Sequence, residues 1–313
     1  MAIRSLKSRG KLAYRALVGA TTYEKLEFWR HLGYWPDLAN PRTFNERVCA
    51  RKFSQFPQAP LLVDKLAVRE FVRARAGGKF LTRLYYVGDD PEAVDFAGLP
   101  SQFVMKGTHG SGPELRSLIS DKSALSRTKF ITLASQILHR RCGPEVNEWW
   151  YTKVKPNLLI EEMLIESGQL PLDFKFYVFG GRALYIQVVS GRHGYAAQSC
   201  FYSHEWRLQP FVRGHFDALD GCSRPENLSE MIILAELLAT GLDFVRVDLY
   251  SVGRRTVFGE MTLAPGAGWI AFLPRNYDYI LGEHWPPKGR SPMSHVTSAP
   301  QQAKISECDR YRT

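Results

Sequence analysis

The stretch FVRVDLYSVGRRTVFGEMT, residues 244–262, reads as two strands joined by a tight turn. Apolar and β-branched residues alternate with polar ones on either side of Ser251-Val252-Gly253-Arg254-Arg255, which has the composition of a hairpin turn. Alternate residues of a strand share a face, so Arg246 lies with Asp248, and Glu260 with Thr262. Closing the hairpin sets Asp248 beside Glu260. Adjacent carboxylates repel unless something positive sits between them. Mg2+ suits such a pair, because it takes one or two carboxylates and completes its shell with phosphate oxygens and water. An Arg–Asp pair with a solvated glutamate on an exposed face satisfies the same pattern.

Working outward, DFKFYVF (173–179) and ALYIQVVS (183–190) are further strands. Asp173 and Lys175 share a face opposite Phe174. A lysine in a buried strand needs an anion; an exposed lysine on a half-buried sheet is the plainer reading. In LLIEEML (158–164) a strand ends in Glu161 and Glu162, which suits backbone contacts to a purine and a carboxylate on ribose hydroxyls. In FVMKGTHGSG (103–112) a strand delivers Lys106 to a loop containing Gly107, Thr108, His109, Gly110, Ser111 and Gly112. Glycines let backbone N–H groups approach an anion, and the lysine adds a point charge. The segment is not a P-loop, since its lysine precedes the glycines. A tight turn that happens to hold glycine fits it equally well.

Ahead of these strands the chain is helical. Residues 21–33 carry Tyr23, Leu26, Phe28, Trp29 and Leu32 at helical spacing. Thr43 and Glu46 form the pattern of a capping box opening a helix to about residue 53, which Pro57 and Pro60 are expected to end. Further helices are expected over 63–75, 121–141 and 226–240. Helices followed by hairpin-like strand pairs favour α+β over a doubly wound parallel sheet.

The chain has 313 residues, 45% hydrophobic and 23% charged, as a globular protein has. Its formal charge of +10 favours anionic partners without choosing among nucleotides, nucleic acid, acidic glycans and lipid. Five cysteines lack metal-ligand spacing and read as reduced thiols of a cytoplasmic protein. No HExxH, GxSxG or Cys-His pattern points to zinc or a covalent nucleophile. The first 20 residues alternate Arg4, Lys7, Arg9, Lys11 and Arg15 with apolar residues, as a surface helix touching the inner face of a membrane does; a solvated helix is the plainer reading. Basic residues are spread along the chain and form no nucleic-acid module. From residue 286 the composition is that of a disordered tail.

In this order, NPRTFNERVCARKF, LLVDKLAVREFV, LPSQFVMKGTHGSG, LLIEEML, LDFKFYVFGG, FVRVDLY and FGEMTLAPGAG resemble the ATP-grasp superfamily, and within it the TupA-like branch, named for a protein of teichuronopeptide synthesis. The resemblance implies two α+β subdomains gripping ATP, divided here as a helical region 1–100, a lid 101–160, a C-terminal part 161–285 and the tail 286–313. It implies that Lys65, Lys106 and Lys175 contact phosphates under the loop Gly107–Gly112. It also implies that Glu161, Glu162, Met163 and Leu164 hold adenine and ribose, that Asp248 and Glu260 bind Mg2+, and that Arg246 steadies the transferred phosphoryl group. Thr262 stands where many ATP-grasp enzymes have asparagine, and its hydroxyl oxygen is expected to reach the metal or its water. The implied activity is an ATP-dependent carboxylate–amine ligase of cell-surface polysaccharide or glycopeptide synthesis, acting on a carboxylate, such as a uronate-bearing glycan, and an amine. A sugar kinase, a glycosyltransferase and a basic nucleic-acid or membrane-surface module are the alternatives.

Overall fold

The computed structural model describes residues 2–191, 197–214 and 216–286; the expected tail lies, but for its first residue, outside the described residues. The chain opens with a helical hairpin, α1 (Ala2–Val18) and α2 (Ala20–Leu32). Helix α3 (Phe44–Arg51) begins at the expected capping box: the Thr43 hydroxyl accepts from the Glu46 N–H at 3.1 Å, and the Glu46 carboxylate accepts from the Thr43 N–H at 3.0 Å. One expectation is corrected at α4 (Ala59–Val63). Pro60 opens this helix rather than ending one, because the first turn does not use the N–H that proline lacks. Asp64 then breaks the path, its carboxylate accepting from the Leu66 N–H at 2.8 Å, so the helix expected over 63–75 is α5 (Ala67–Ala76).

Four strands form a small antiparallel sheet: β1 (Leu84–Gly88), β2 (Phe103–Gly107), β3 (Arg116–Ile119) and, after α6 (Arg127–His139), β4 (Leu158–Glu162), in the order β1-β4-β2-β3. Phe103, Met105, Leu158 and Ile160 are buried with Phe130, Ala134 and Ile137 of α6. Alternation turns Val104 and Lys106 to the opposite face.

The remaining elements are β5 (Asp173–Phe179), β6 (Arg182–Ser190), β7 (Gln198–Ser203), β8 (Val212–Arg213), β9 (Asp217–Ala218), α7 (Leu228–Leu238), β10 (Phe244–Val252), β11 (Arg255–Thr262), β12 (Phe272–Leu273) and α8 (Asn276–Glu283). The large sheet runs β11-β10-β5-β6-β7-β9, antiparallel except for β7 with β9, while β8 pairs with β12. All seven residues of β5 are buried. Phe174, Phe176 and Val178 share the core with Met231, Leu234 and Leu238 of α7. Asp173, Lys175 and Tyr177 take the other face. The fold is α+β, with two main sheets and the short β8–β12 pair after a helical N-terminal region.

A third core joins the helical hairpin to the rest through Tyr23, Phe28, Leu32, Cys49 and Trp269. The expected N-terminal helix forms, but its described cations turn inward: Lys11 pairs with buried Glu27 at 3.3 Å, and Arg15 Nε donates to Asn147 Oδ1 at 2.5 Å. Leu12, Tyr14 and Leu17 are exposed instead. Among the described residues, no helix is long and apolar enough to cross a membrane.

Candidate functional site

The hairpin of β10 and β11 pairs Asp248 with Glu260 and Arg246 with Thr262. A bulge beside Asp248 bends the pair, and Gly259 makes it possible: a Cβ there would lie 2.9 Å from the Asp248 carbonyl oxygen. The positive charge between the carboxylates is Arg246. Its Nε and Nη2 donate to the two Asp248 oxygens at 2.6 and 2.7 Å, and Nη2 also donates to Thr262 Oγ1 at 2.9 Å and Glu260 Oε1 at 3.4 Å. Lys175, facing Asp248 from β5, donates to Asp248 Oδ2 at 2.5 Å and Asp173 Oδ2 at 2.7 Å. Lys175 and Asp248 are buried, which removes the exposed-face reading of both strands. Burial alone would raise the Asp248 carboxyl, but Arg246 and Lys175 outweigh it and hold the group well below the usual carboxylate range. Glu260 is the more open carboxylate, its side chain 31% exposed against 2% for Asp248. Among the described residues, no three His, Cys, Asp or Glu side chains cluster in a way that could hold a metal ion. Two carboxylates and a hydroxyl meet here, a donor set that fits Mg2+ only with phosphate and water oxygens completing the shell.

The small sheet contributes the other half. Lys106 is ion-paired with Glu161, which also accepts from the Thr82 hydroxyl at 2.8 Å and faces Arg69 at 3.6 Å. Burial pushes the Glu161 carboxyl up, but Lys106, Thr82 and Arg69 bring it below its ordinary value. Glu162 is anchored elsewhere, paired with Arg255 at 2.9 Å and accepting from the Arg83 N–H at 3.1 Å. Between the sheets lies a cavity of about 430 Å³. Lys106, the run Glu161–Leu164 and Asp173 border it, with Val104, Leu118 and Phe258 as apolar walls. The sequence identified Asp173 only as the face partner of Lys175.

The glycine loop divides into a buried base and an exposed tip. Thr108 is fully buried; its hydroxyl donates to the Lys155 carbonyl at 2.9 Å and accepts from the Asn157 N–H at 3.0 Å. His109 is 4% exposed, with Nε2 at 2.7 Å from the Arg140 carbonyl. That oxygen can only accept, so Nε2 carries the proton; burial lowers the ring's pKa, and the bond to the Arg140 carbonyl opposes that shift. Both side chains hold the loop in place here and do not border the cavity. Gly107 and Gly110 permit close packing, since a Cβ on Gly110 would lie 2.5 Å from Leu115 Cδ1 and 2.7 Å from Cys142 Cβ. Ser111 and Gly112 are exposed. Lys65 donates to the Gly110 carbonyl; burial lowers its pKa, and the charge of Glu260 opposes that shift.

Sequence reading missed Arg213. It reaches from the two-residue β8, donates to the Pro265 carbonyl at 2.7 Å and the Tyr177 hydroxyl at 3.3 Å, and lies near enough to Arg246 for the two charges to repel.

The model of the TupA-like ATP-grasp family matches residues 47–285, the segment that supplies both sheets and every side chain of this site. The chain belongs to the TupA-like ATP-grasp family. The TupA-like match starts inside α3, so α1 and α2 precede it. No curated protein matches the chain. It is similar to the solved ATP-grasp ligase PsnB complexed with minimal precursor, Mg and ADP (14% identity, 66% of this chain and 52% of that one, TM-score 0.40). It is also similar to a D-alanine–D-alanine ligase from Bacillus anthracis (15%, 72% and 64%, TM-score 0.43). A third is the macrocyclase MdnC bound with precursor peptide MdnA from Microcystis aeruginosa (12%, 67% and 55%, TM-score 0.37). The chain thus spans 52 to 64% of the length of these proteins.

Proposed function

We propose that this TupA-like ATP-grasp chain is an ATP-dependent ligase that joins a carboxylate to an amine through an acyl phosphate. The observation that carries this reading is one continuous site, in which the cavity between the sheets runs from Lys106 and the Glu161–Leu164 run to Asp173, and so to the Lys175–Asp248–Arg246–Glu260 cluster. The adenine lies against Val104, Leu118 and Phe258, with the backbone at Met163 and Leu164 at its polar edge. Lys106, and Lys65 once released from Gly110, neutralise phosphate charge. The loop tip at Ser111 and Gly112 has the exposure to close over the phosphates. Asp248 and Glu260 would hold Mg2+, which when bound supplies charge neutralisation across the phosphates. Arg246 stands between those carboxylates and Thr262, positioned to face charge that develops on the transferred group. Positioning and charge neutralisation carry such a reaction, without a covalent nucleophile on the enzyme.

The carboxylate substrate in this reading belongs to a cell-surface polysaccharide or glycopeptide precursor, met in the cytoplasm; the +10 charge suits an acidic, uronate-bearing acceptor. Nucleic acid is not part of this reading. Product analysis with Mg-ATP, a panel of uronates and amino acids, and the purified chain tests it. ADP with free phosphate is expected, in amounts that require both acceptors. AMP with pyrophosphate contradicts the acyl phosphate, and phosphate left on a sugar hydroxyl makes the chain a kinase.

A further inference from the structure

The turn after β11, Ala264–Trp269, is held from behind by its own carbonyl oxygens and that of Ile270, which follows it. Arg213 donates to Pro265 O at 2.7 Å, Lys52 Nζ to Ala267 O at 2.8 Å, and Asn45 Nδ2 to Ile270 O at 3.1 Å. Cys49 Sγ approaches Ala267 O at 3.6 Å. Asn45, Cys49 and Lys52 stand at i, i+4 and i+7, along one face at α3 and its C-terminal cap. Gly268 packs so closely that a Cβ would meet Cys49 Sγ at 2.7 Å and Asn45 O at 2.9 Å.

Lys52 stands out among these. Its side chain has no exposed surface, and an ammonium has three donors. All three are matched by oxygens from three separate segments: Glu24 Oε1 of α2 at 2.6 Å, Val146 O at 3.0 Å and Ala267 O at 2.8 Å. Val146 belongs to the segment that also supports the glycine loop, through Arg140 O on His109 and Cys142 against Gly110. Glu24, also without exposed side-chain surface, accepts in addition from Trp269 Nε1 at 2.7 Å and Asn147 Nδ2 at 2.8 Å. Trp269 lies under the ammonium at 4.6 Å and stacks on His31 of α2.

We propose that Lys52 and Glu24 form a positioning pair that fixes the Ala264–Trp269 turn relative to the base of the glycine loop. The turn that follows Glu260 and Thr262 of β11 is thereby registered against the phosphate side of the site. The helical hairpin, which precedes the family-matched segment, is in consequence a working part of the site. This inference rests on the nucleotide reading above. Neither residue borders the cavity, so the pair acts through the turn and the loop base and not on nucleotide directly.

Lys52→Met alone strands the buried Glu24 charge and risks the fold. The informative variant is Lys52→Met with Glu24→Gln, which removes both charges together. Two probes are read on the full chain: Mg-ADP alone, and orthovanadate, a mimic of the transferred phosphoryl group, added to the Mg-ADP complex. Amide hydrogen exchange is followed at Ala267 and Trp269, both hydrogen-bonded within the turn. The pair predicts native Mg-ADP affinity, at least tenfold weaker vanadate binding, and at least tenfold faster exchange at those two amides with core strands unchanged. Faster exchange with native vanadate affinity reduces the pair to a structural role and overturns the inference, as does unchanged exchange. A wild-type chain that binds no Mg-ADP overturns the nucleotide reading and this inference with it.

Discussion

Lys175 and Asp248 depend on each other in a way that a substitution exposes. Asp248 accepts from Lys175 and from Nε and Nη2 of Arg246 in a buried setting. Asp248→Asn leaves two cations facing a neutral amide, and breaking a buried pair from one side costs about 3–5 kcal/mol. The melting midpoint is expected to fall by roughly 10 °C, in calorimetry or by circular dichroism, together with loss of ATP turnover. Lys106 gives the contrasting case. Its partner Glu161 keeps the Thr82 hydroxyl and Arg69 when the lysine is removed. Lys106→Met is therefore expected to melt within a few degrees of wild type while Mg-ATP affinity drops about tenfold or more, since a charge-assisted contact to phosphate is lost. Titration calorimetry checks it; an unchanged dissociation constant removes Lys106 from the phosphate site.

At the scale of elements, the bulge in β11 is the sharpest dependence on one atom. Gly259→Ala puts a methyl 2.9 Å from both the Asp248 carbonyl oxygen and Tyr250 Cε2. Backbone cannot give way cheaply, so the register of Glu260 against Asp248 shifts; turnover is expected to fall at least tenfold with a stability loss of about 1–3 kcal/mol. Kinetics alongside a denaturation curve separates the two effects. The capping box offers a milder test: Thr43→Ala removes an N-cap worth about 1 kcal/mol and should lower the denaturation midpoint without changing its slope. The bulge was not legible in the sequence, whereas elements with local signals were. Strict alternation placed β5 and β10, and a Thr–Glu spacing placed the start of α3. β8, β9 and β12 went unread, since two residues carry no periodicity. Arg213 went unread with β8. Lys52 and Glu24 look in sequence like solvated charges on amphipathic helices. Their burial follows from each other and from partners 94 to 245 residues away, at Val146, Ala267 and Trp269. The roles of Thr108 and His109 were ambiguous for the same reason: whether a loop side chain faces a ligand or its own scaffold depends on the Lys155, Asn157 and Arg140 backbone that meets it.

For the molecule as a whole, the junction of the helical hairpin with the sheets carries a pH dependence of stability. Glu148 is buried beside it, and its carboxyl is pushed up to about 8, chiefly by burial and further by Glu24 and Glu145, against the lowering effect of Lys52. A carboxyl with a pKa raised on folding binds its proton more tightly in the folded chain, so stability is lost as the unfolded chain releases that proton and the folded one does not. Its contribution is full below the ordinary value of 4.5, declines through the interval to about 8, and is constant above it. Each pH unit inside the window corresponds to roughly 1.4 kcal/mol at most for one group. Glu148→Gln keeps the shape of the neutral carboxyl and removes the titration. The variant and wild type are expected to melt together near pH 4.5, and the variant to gain steadily up to pH 8, by several degrees in all. Because Glu148 shares its surroundings with Lys52 and Glu24, the double variant Lys52→Met with Glu24→Gln should alter this pH slope as well. Parallel melting curves for wild type and Glu148→Gln across that range would show that Glu148 is solvated and that the junction is looser than its packing indicates.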